Sequence, residues 1–342
     1  MEMEAMASLG FESSLMARRG TPILAEAQRR GLDAYPIDIR SSVDPFAIGE
    51  FVAFIKRRRI DLVNAHNSKD GWNVALAAKL LGRPVVRSRH IANPIRTGKI
   101  SQLIYGPLCD KVMTTSESIR QEMIARGVAA HKIVSIPTGV DLARFESGKP
   151  GRFRASLGIP NDVPLVGQIA VLRGSKGPHV FLEAALRLVA EGCPAWFVLI
   201  GDGPSRKQLE RTLRERPSSR ILLCGHRNDI PEVLADLDLA VLAATQPEGV
   251  PQAVLQAFAA RVPVIASDLG GINEVAINEQ TAITLPPKDP QRLAQAIVDQ
   301  LAKPERGKAN AVRARALAEG RYSRDAMLQS MGNLYTGLLA RR

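Results

Sequence analysis

The chain has 342 residues, 45% hydrophobic and 23% charged, with 46 Lys or Arg against 34 Asp or Glu for a formal charge of +12. This excludes a disordered chain, a collagen-like chain and a disulfide scaffold, and the length predicts two domains of ordinary size. No run of about 18 apolar residues marks a membrane span, the opening MEMEAMASLGFESSLMARRG lacks the apolar centre of a secretory signal, and three scattered cysteines without a CxxC pair point to a reduced, cytoplasmic setting without structural zinc.

Apolar runs alternate with amphipathic stretches along the chain. A helix starts near Pro45, where Ile48, Phe51, Val52 and Ile55 recur at helical spacing and predict one buried face. The run from Asp61 predicts a strand, followed by a helix over 71–81 and a strand at Pro84–Ser88. A helix around 99–106, a strand at Lys111–Thr115, a helix at 117–126 and a strand at Ile133–Ile136 follow. Gly148-Lys-Pro-Gly interrupts the pattern, which restarts with strand Leu165–Leu172, helix 178–191, strand Trp196–Ile200, helix 205–214 and strand Ile221–Cys224. Helix 230–235, strand Leu239–Ala243, helix 251–260 and strand Val264–Ala266 come next, and a helix at 323–340 ends the chain. Alternating strands and helices imply parallel sheets covered on both faces, so the fold class is α/β, built as two doubly wound halves facing a cleft. In such sheets ligands sit beyond the carboxyl ends of the strands, where the strand order reverses.

The charge is uneven. Residues 51–100 hold 11 Lys or Arg against two Asp, a local excess of +9. Such a face calls for an anionic partner, an acidic lipid surface foremost. With 4% aromatic residues and no reading motif, the chain offers few stacking platforms, so nucleic acid is not expected as a partner.

The densest cluster runs from Glu248 to Glu274. An acid precedes a helix, Pro251 suits the first helical position, and a strand then leads to the turn Gly270-Gly271. The first turn of that helix offers N–H groups to an anion, and the bare glycine backbone admits a ligand closely. An acid, a positive pole and a Gly-Gly turn describe a site for a polyol diphosphate. The second cluster is Arg173-Gly-Ser-Lys176-Gly177, two bases on a turn at a helix start, suited to clamping a diphosphate. It lacks the spacing of a P-loop. Asp236-Leu-Asp238 has the DxD form of a metal site but closes one helix and opens a strand, so no metal role is expected. Arg57-Arg-Arg59 reads as a helix C-terminal cap, and Cys224 as an apolar filler.

These motifs resemble glycosyltransferase family 4, retaining enzymes of the GT-B fold. The likeness rests on Arg173 and Lys176, Glu248, the Gly270-Gly271 turn with Glu274, and Gly225-His-Arg-Asn-Asp229. It extends to VNAHNSKDGW at 63–72, VVRSRHI at 85–91 and SIPTGVDLARF at 135–145. The resemblance implies an N-terminal acceptor domain over 1–147, a nucleotide-sugar donor domain over 148–322, and a last segment, 323–342, crossing back to the first. It implies catalytic roles for His90, Arg173, Lys176 and Glu248. It places donor contacts at Arg173, Lys176, His226, Arg227, Glu248, Gly249, Val250, Gln256, Gly270 and Gly271, and acceptor contacts at His66 and Asp70. The co-substrate would be a nucleotide-diphosphate sugar, with no cofactor and no metal. The acceptor would be a glycan or lipid-linked sugar of bacterial surface-polysaccharide or lipopolysaccharide synthesis, reached in the cytoplasm or peripherally at the membrane.

Two departures from the family pattern stand out. Gln256 replaces the usual second Glu, keeping hydrogen-bonding ability without charge. The chain also begins in what resembles the first helix, Glu2 to Leu9, with GFESSLMARRG as the second strand, so the family's first strand and Gly-rich loop are not in the sequence. Two other activities fit these observations: a catalytically weak sugar-nucleotide-binding subunit, and a sugar-nucleotide epimerase of the same fold.

Overall fold

The computed structural model describes residues 2–66, 68–89 and 98–340. The chain divides into two compact units, Met1–Pro137 with Asp325–Arg342, and Thr138–Arg324.

In the first unit, β1 (Leu15–Arg18) and β2 (Ala34–Ile37) form a parallel pair. Four further strands, β3 (Val63–Ala65), β4 (Val85–Arg89), β5 (Lys111–Thr114) and β6 (Ile133–Ser135), form a parallel sheet in that order. The helix Pro45–Arg57 begins where Asp44 accepts from the N–H groups of Phe46 and Ala47. It buries Ala47, Phe51, Phe54 and Ile55, whereas Ile48 and Val52, expected on the buried face, are only half-buried. The stripe is rotated because Phe54 stacks edge-on against Tyr35 of β2, at 5.0 Å between ring centroids. Helix Ser68–Leu80 covers the same face with Val74, Ala75, Ala77 and Ala78. On the other face, Val86 of β4 and Met113 of β5 pack with Leu328, Met331 and Tyr335 of the last helix, Arg324–Leu339. The Tyr335 hydroxyl accepts a hydrogen bond from Asn64 at 2.8 Å.

The second unit holds six parallel strands: β7 (Leu165–Ile169), β8 (Trp196–Ile200), β9 (Ile221–Gly225), β10 (Leu239–Leu242), β11 (Val264–Ser267) and β12 (Ile283–Leu285). Their spatial order is β12-β11-β10-β7-β8-β9. Alternation along each strand divides the apolar residues between two cores. Val166, Phe197, Leu199, Val241 and Ile265 face the helices Pro178–Ala190 and Pro290–Ala302. Leu165, Val198, Ile200, Leu242 and Val264 face the helices Gln252–Ala259 and Pro304–Arg321. Because both faces are covered, the strands are nearly continuous apolar runs.

The unit boundary falls ten residues before the glycine-containing break at 148–151. Val140 donates from its N–H to the Tyr322 carbonyl at 2.8 Å, and Phe145 is buried in the same core as Phe153, which ties 138–147 to the second unit. The strand expected to reach Leu172 ends at Ile169, since the Leu172 N–H turns to the Asp202 carbonyl. Beyond the Gly270-Gly271 turn and Glu274, segment 275–322 carried no expected strand or helix and adds β12 and two long helices.

Candidate functional site

In the second unit the chain lays down β7, β8 and β9 in one direction, then returns to the other side of β7 with β10. The loops after β7 and β10 therefore leave adjacent strand ends and turn opposite ways, which opens a crevice at the carboxyl edge. The two sequence clusters lie on these loops and on the loop after β11.

The loop after β7 makes one 3-10 turn, Gly174–Lys176, and enters helix Pro178–Ala190 through Gly177 at φ +63°. A Cβ at Gly177 would lie 1.7 Å from the Ala243 carbonyl oxygen, so only glycine allows the β7 and β10 loops to touch there. Thr245 fastens the contact: its hydroxyl donates to the Gly174 carbonyl at 2.8 Å and its N–H to the Ser175 carbonyl at 2.9 Å. From the strand itself, Gln168, the penultimate residue of β7, donates from Nε2 to the Lys176 carbonyl at 2.7 Å. The Gly-Gly turn closes the third side. Gly271 donates to the Glu248 carbonyl at 2.8 Å, and a Cβ on Gly271 would come within 2.7 Å of the Gly249 carbonyl carbon.

This scaffold brings Lys176 and Glu248 together as an ion pair, each side chain 19% exposed. The other carboxylate oxygen of Glu248, Oε1, is buried and has no hydrogen-bond partner among the described residues. A buried carboxylate oxygen lacking a donor is costly, and a hydroxyl group delivered to it would remove that cost. Lys176 thus stands beside an acceptor site for hydroxyls, on a loop that opens a helix with its positive pole outward. Arg173, on the same loop, is exposed.

The remaining expected residues take varied positions. Gly249 and Gly270 are half-buried and exposed at the loop contact, and Val250 points its side chain into the core, leaving only its backbone for a ligand. Pro251 is the N-cap, at φ −79° and ψ 125°, and the helix begins at Gln252; the expectation of a first helical position is corrected by its extended ψ. Gln256 is half-buried on that helix. His226, just past β9, is exposed and 3.2 Å from Asn228 Oδ1. The Arg227 guanidinium is held by the Asp229 carboxylate, at 2.8 Å on one nitrogen and 2.5 Å on another, and lies 5.0 Å from the Phe153 ring centroid. That geometry makes Arg227 a brace of its own loop. In the first unit, His66 follows β3 and is exposed. Asp70 lies in the first turn of helix Ser68–Leu80, its side chain outside the described part, and His90 lies outside the described residues.

The DxD carboxylates are occupied by the chain itself. Asp236 accepts from the N–H groups of Gly151 and Arg154, and Asp238 accepts from the Arg154 guanidinium and the Leu165 N–H, each at 2.8 Å. Among the described residues no group of three His, Cys, Asp or Glu could hold a metal ion, and no helix is long and apolar enough to cross a membrane. Burial pushes the Cys224 thiol up to about 11, as expected of an inert filler. Sequence reading missed Gln168, Thr245 and the role of Gly177. A polar residue in the run LVGQI was the one available signal for Gln168; Thr245 carried none.

Residues 3–144 match the family described as Glycosyltransferase Family 4, and residues 161–303 match Glycosyl transferases group 1. An Escherichia coli UDP-Gal:alpha-D-GlcNAc-diphosphoundecaprenol alpha-1,3-galactosyltransferase is 31% identical over 241 residues, which is 66% of this chain and 62% of that protein. The chain thus spans about three fifths of that relative's length. Among solved structures, a glycosyltransferase from Rickettsia africae ESF-5 superposes with a TM-score of 0.89 at 19% identity, covering 99% of this chain and 94% of that one. Anabaena HepE, solved with UDP-glucose, superposes with a TM-score of 0.84 at 19% identity, covering 98% and 94%. With both halves matched and the fold shared, the chain belongs to the glycosyltransferases of the GT-B type, its first half a family 4 domain and its second a group 1 domain.

Proposed function

We propose that the chain transfers a sugar, with retention of configuration, from a nucleotide-diphosphate sugar to a glycan or lipid-linked acceptor. The setting would be bacterial surface-polysaccharide or lipopolysaccharide synthesis on the cytoplasmic side of the membrane. The observation that carries this reading is the Lys176–Glu248 pair with its unpartnered carboxylate oxygen at the strand-order reversal. Glu248 Oε1 would accept donor-sugar hydroxyls. Lys176 and Arg173 would neutralise the diphosphate, including the charge that grows on it as the glycosidic bond breaks. Stabilising charge that develops only in the transition state is what raises the rate. With cations in that role, the chemistry needs no metal. The acceptor hydroxyl would lose its proton to the departing phosphate on the same face of the sugar, so no protein nucleophile is required.

The domain roles follow the resemblance: acceptor on the first unit with His66, Asp70 and His90, donor on the second with Gln256 at the ribose and His226 near the base. The basic excess of residues 51–100 would rest against an acidic lipid surface. The Escherichia coli relative is named for a lipid-diphosphate acceptor and a UDP-sugar donor, and HepE was solved with UDP-glucose; both favour a UDP-sugar here.

Thermal-shift screening of UDP-, GDP- and ADP-sugars tests the donor, since a ligand at 100 times its Kd adds about 2.7 kcal/mol. A shift with one donor class, with product formed on adding acceptor, is the expected result. Conversion of the donor without acceptor would instead identify an epimerase, and binding without transfer a binding subunit.

A further inference from the structure

The first unit carries a buried charge that the proposed chemistry has not used. Arg87, on β4, is 6% exposed, and its Nη1 has no hydrogen-bond partner among the described residues. Its guanidinium lies 5.5 Å from the Tyr105 ring centroid. Arg89, two residues along the same strand and thus on the same face, donates from Nη1 to the Tyr105 hydroxyl at 3.3 Å. The charge acting on Arg87 from Arg89 is repulsive, and burial with that repulsion pulls the guanidinium below its ordinary pKa.

A third positive element meets the pair. Gly71 lies in the first turn of helix Ser68–Leu80, and a Cβ there would fall 2.5 Å from Arg87 Nη1 and 2.7 Å from Cζ. The guanidinium therefore lies directly against the first turn of a 13-residue helix, made possible by a glycine that costs helix stability. The N–H groups of a first turn have no acceptor within the helix, and this end carries the positive pole of the dipole. The positive pole of a helix and a buried guanidinium packed beside it repel one another unless an anion reaches both. Buried cations without partners are strongly disfavoured, so the arrangement is built for a ligand of negative charge. Planar, multiply donating guanidinium next to backbone N–H groups fits tetrahedral phosphoryl oxygens.

We propose that Arg87, Arg89 and the N-terminal turn of helix Ser68–Leu80 form an anion subsite for a phosphoryl group of the acceptor. This rests on the reading of the chain as a glycosyltransferase and narrows its acceptor to a phosphorylated one, such as a lipid-linked diphosphate or a sugar phosphate. The subsite lies at the carboxyl edge of the first unit's sheet; the Lys176 site, on the second unit, would hold the donor's diphosphate.

The test measures inorganic pyrophosphate and inorganic phosphate binding by calorimetry on the full chain saturated with UDP, which occupies the donor site. Wild-type protein should bind pyrophosphate under these conditions, and Arg87→Gln should weaken that binding by about tenfold or more while leaving UDP affinity unchanged. Without added anion, Arg87→Gln should melt at the same or a higher temperature than wild type, because it removes an unpaired buried charge. Arg87→Lys, which retains charge in similar volume, should recover part of the affinity, and it serves as the second variant if the glutamine form does not fold. Pyrophosphate binding much tighter than phosphate points to a diphosphate acceptor, and equal binding to a monophosphate; either supports the subsite. Equal pyrophosphate affinity in wild type and Arg87→Gln overturns it, as does wild-type protein that binds no anion once UDP is present. If wild type fails to bind UDP or any nucleotide sugar, the glycosyltransferase reading fails instead, and pyrophosphate titration of Lys176→Met then decides the subsite alone.

Discussion

The two units use the same alternation of strands and helices but settle their buried charges differently. In the second unit Lys176 meets Glu248, Asp236 meets the N–H groups of Gly151 and Arg154, and Arg154 meets Asp238. In the first unit Arg87 lies buried beside Arg89, over the Tyr105 ring and against Gly71, and its Nη1 has no hydrogen-bond partner among the described residues. The second unit's site pairs cation with anion; in the first unit, where Asp44 and the Lys79–Asp110 pair are likewise satisfied, Arg87 is a buried charge that no carboxylate meets among the described residues. The difference shows where each unit expects its counter-charge to come from. The second is assembled before its ligand arrives, and its Glu248 carboxylate offers an orphan oxygen, Oε1, to a ligand hydroxyl. The first keeps a positive site open for an anion from outside.

This contrast can be broken at its strongest point. Lys176→Met removes the cation that pairs with Glu248 and is expected to lower kcat by about 10²–10³-fold, as for other groups that stabilise developing charge. Steady-state transfer with the donor found in the thermal-shift screen measures it. A loss confined to KM would mean that Lys176 only binds the ground state.

Gly177→Ala attacks the scaffold instead of the charge. Its Cβ would overlap the Ala243 carbonyl at a backbone φ of +63°, so the β7 and β10 loops must part. A loss of about 2–4 kcal/mol in unfolding free energy is expected by urea titration, from overpacking and strain together. A stability change below about 0.5 kcal/mol would show that the loops are not locked as described.

Gln168→Leu sharpens the comparison, because it removes the bond to the Lys176 carbonyl but leaves the ion pair. The Gln168 side chain also has a buried Oε1 without a partner among the described residues, so its removal costs little stability, within about 1 kcal/mol. Transfer should fall by about threefold to tenfold, a loss in kcat from a loosened Lys176 loop. Unchanged kcat would make Gln168 irrelevant to the loop.

The smallest effect is expected for Gln256→Glu. A carboxylate accepts from both hydroxyls of a ribose where an amide offers one acceptor oxygen. Nucleotide-sugar binding should therefore survive and tighten by up to about tenfold, about 1.4 kcal/mol, by titration calorimetry. Abolished binding would remove Gln256 from the ribose site.

Much of the second unit was legible in the sequence. Strand β8 falls where its apolar run predicts, and the helix Pro178–Ala190 within a residue of expectation. Buried parallel strands read as continuous apolar runs, and helices repeat at a period that twenty residue types can display. Arg173, Lys176, Glu248 and the Gly-Gly turn stood out because unusual chemistry sits at glycine-marked turns. What pattern could not reveal were the contacts between loops. Thr245 serves by reaching Gly174 and Ser175 some seventy residues away, and nothing local to a threonine records that. Arg227 drew a ligand role from its neighbours in sequence, yet its guanidinium is taken up by Asp229 and the Phe153 ring.

By itself, then, the sequence determined the α/β class, the two halves, the family and the charged residues of the loops after β7 and β10. These depend on local periodicity, turn chemistry and residue identity. Tertiary structure alone decided that Lys176 pairs with Glu248, that the DxD carboxylates are spent on backbone amides and Arg154, and that Arg87 lies buried against the first turn of a helix opened for it by Gly71. Each of these joins residues distant along the chain or on opposite elements. Strand order and crossover place them together, and whether a charge is buried or paired is a property of that packing rather than of the residue.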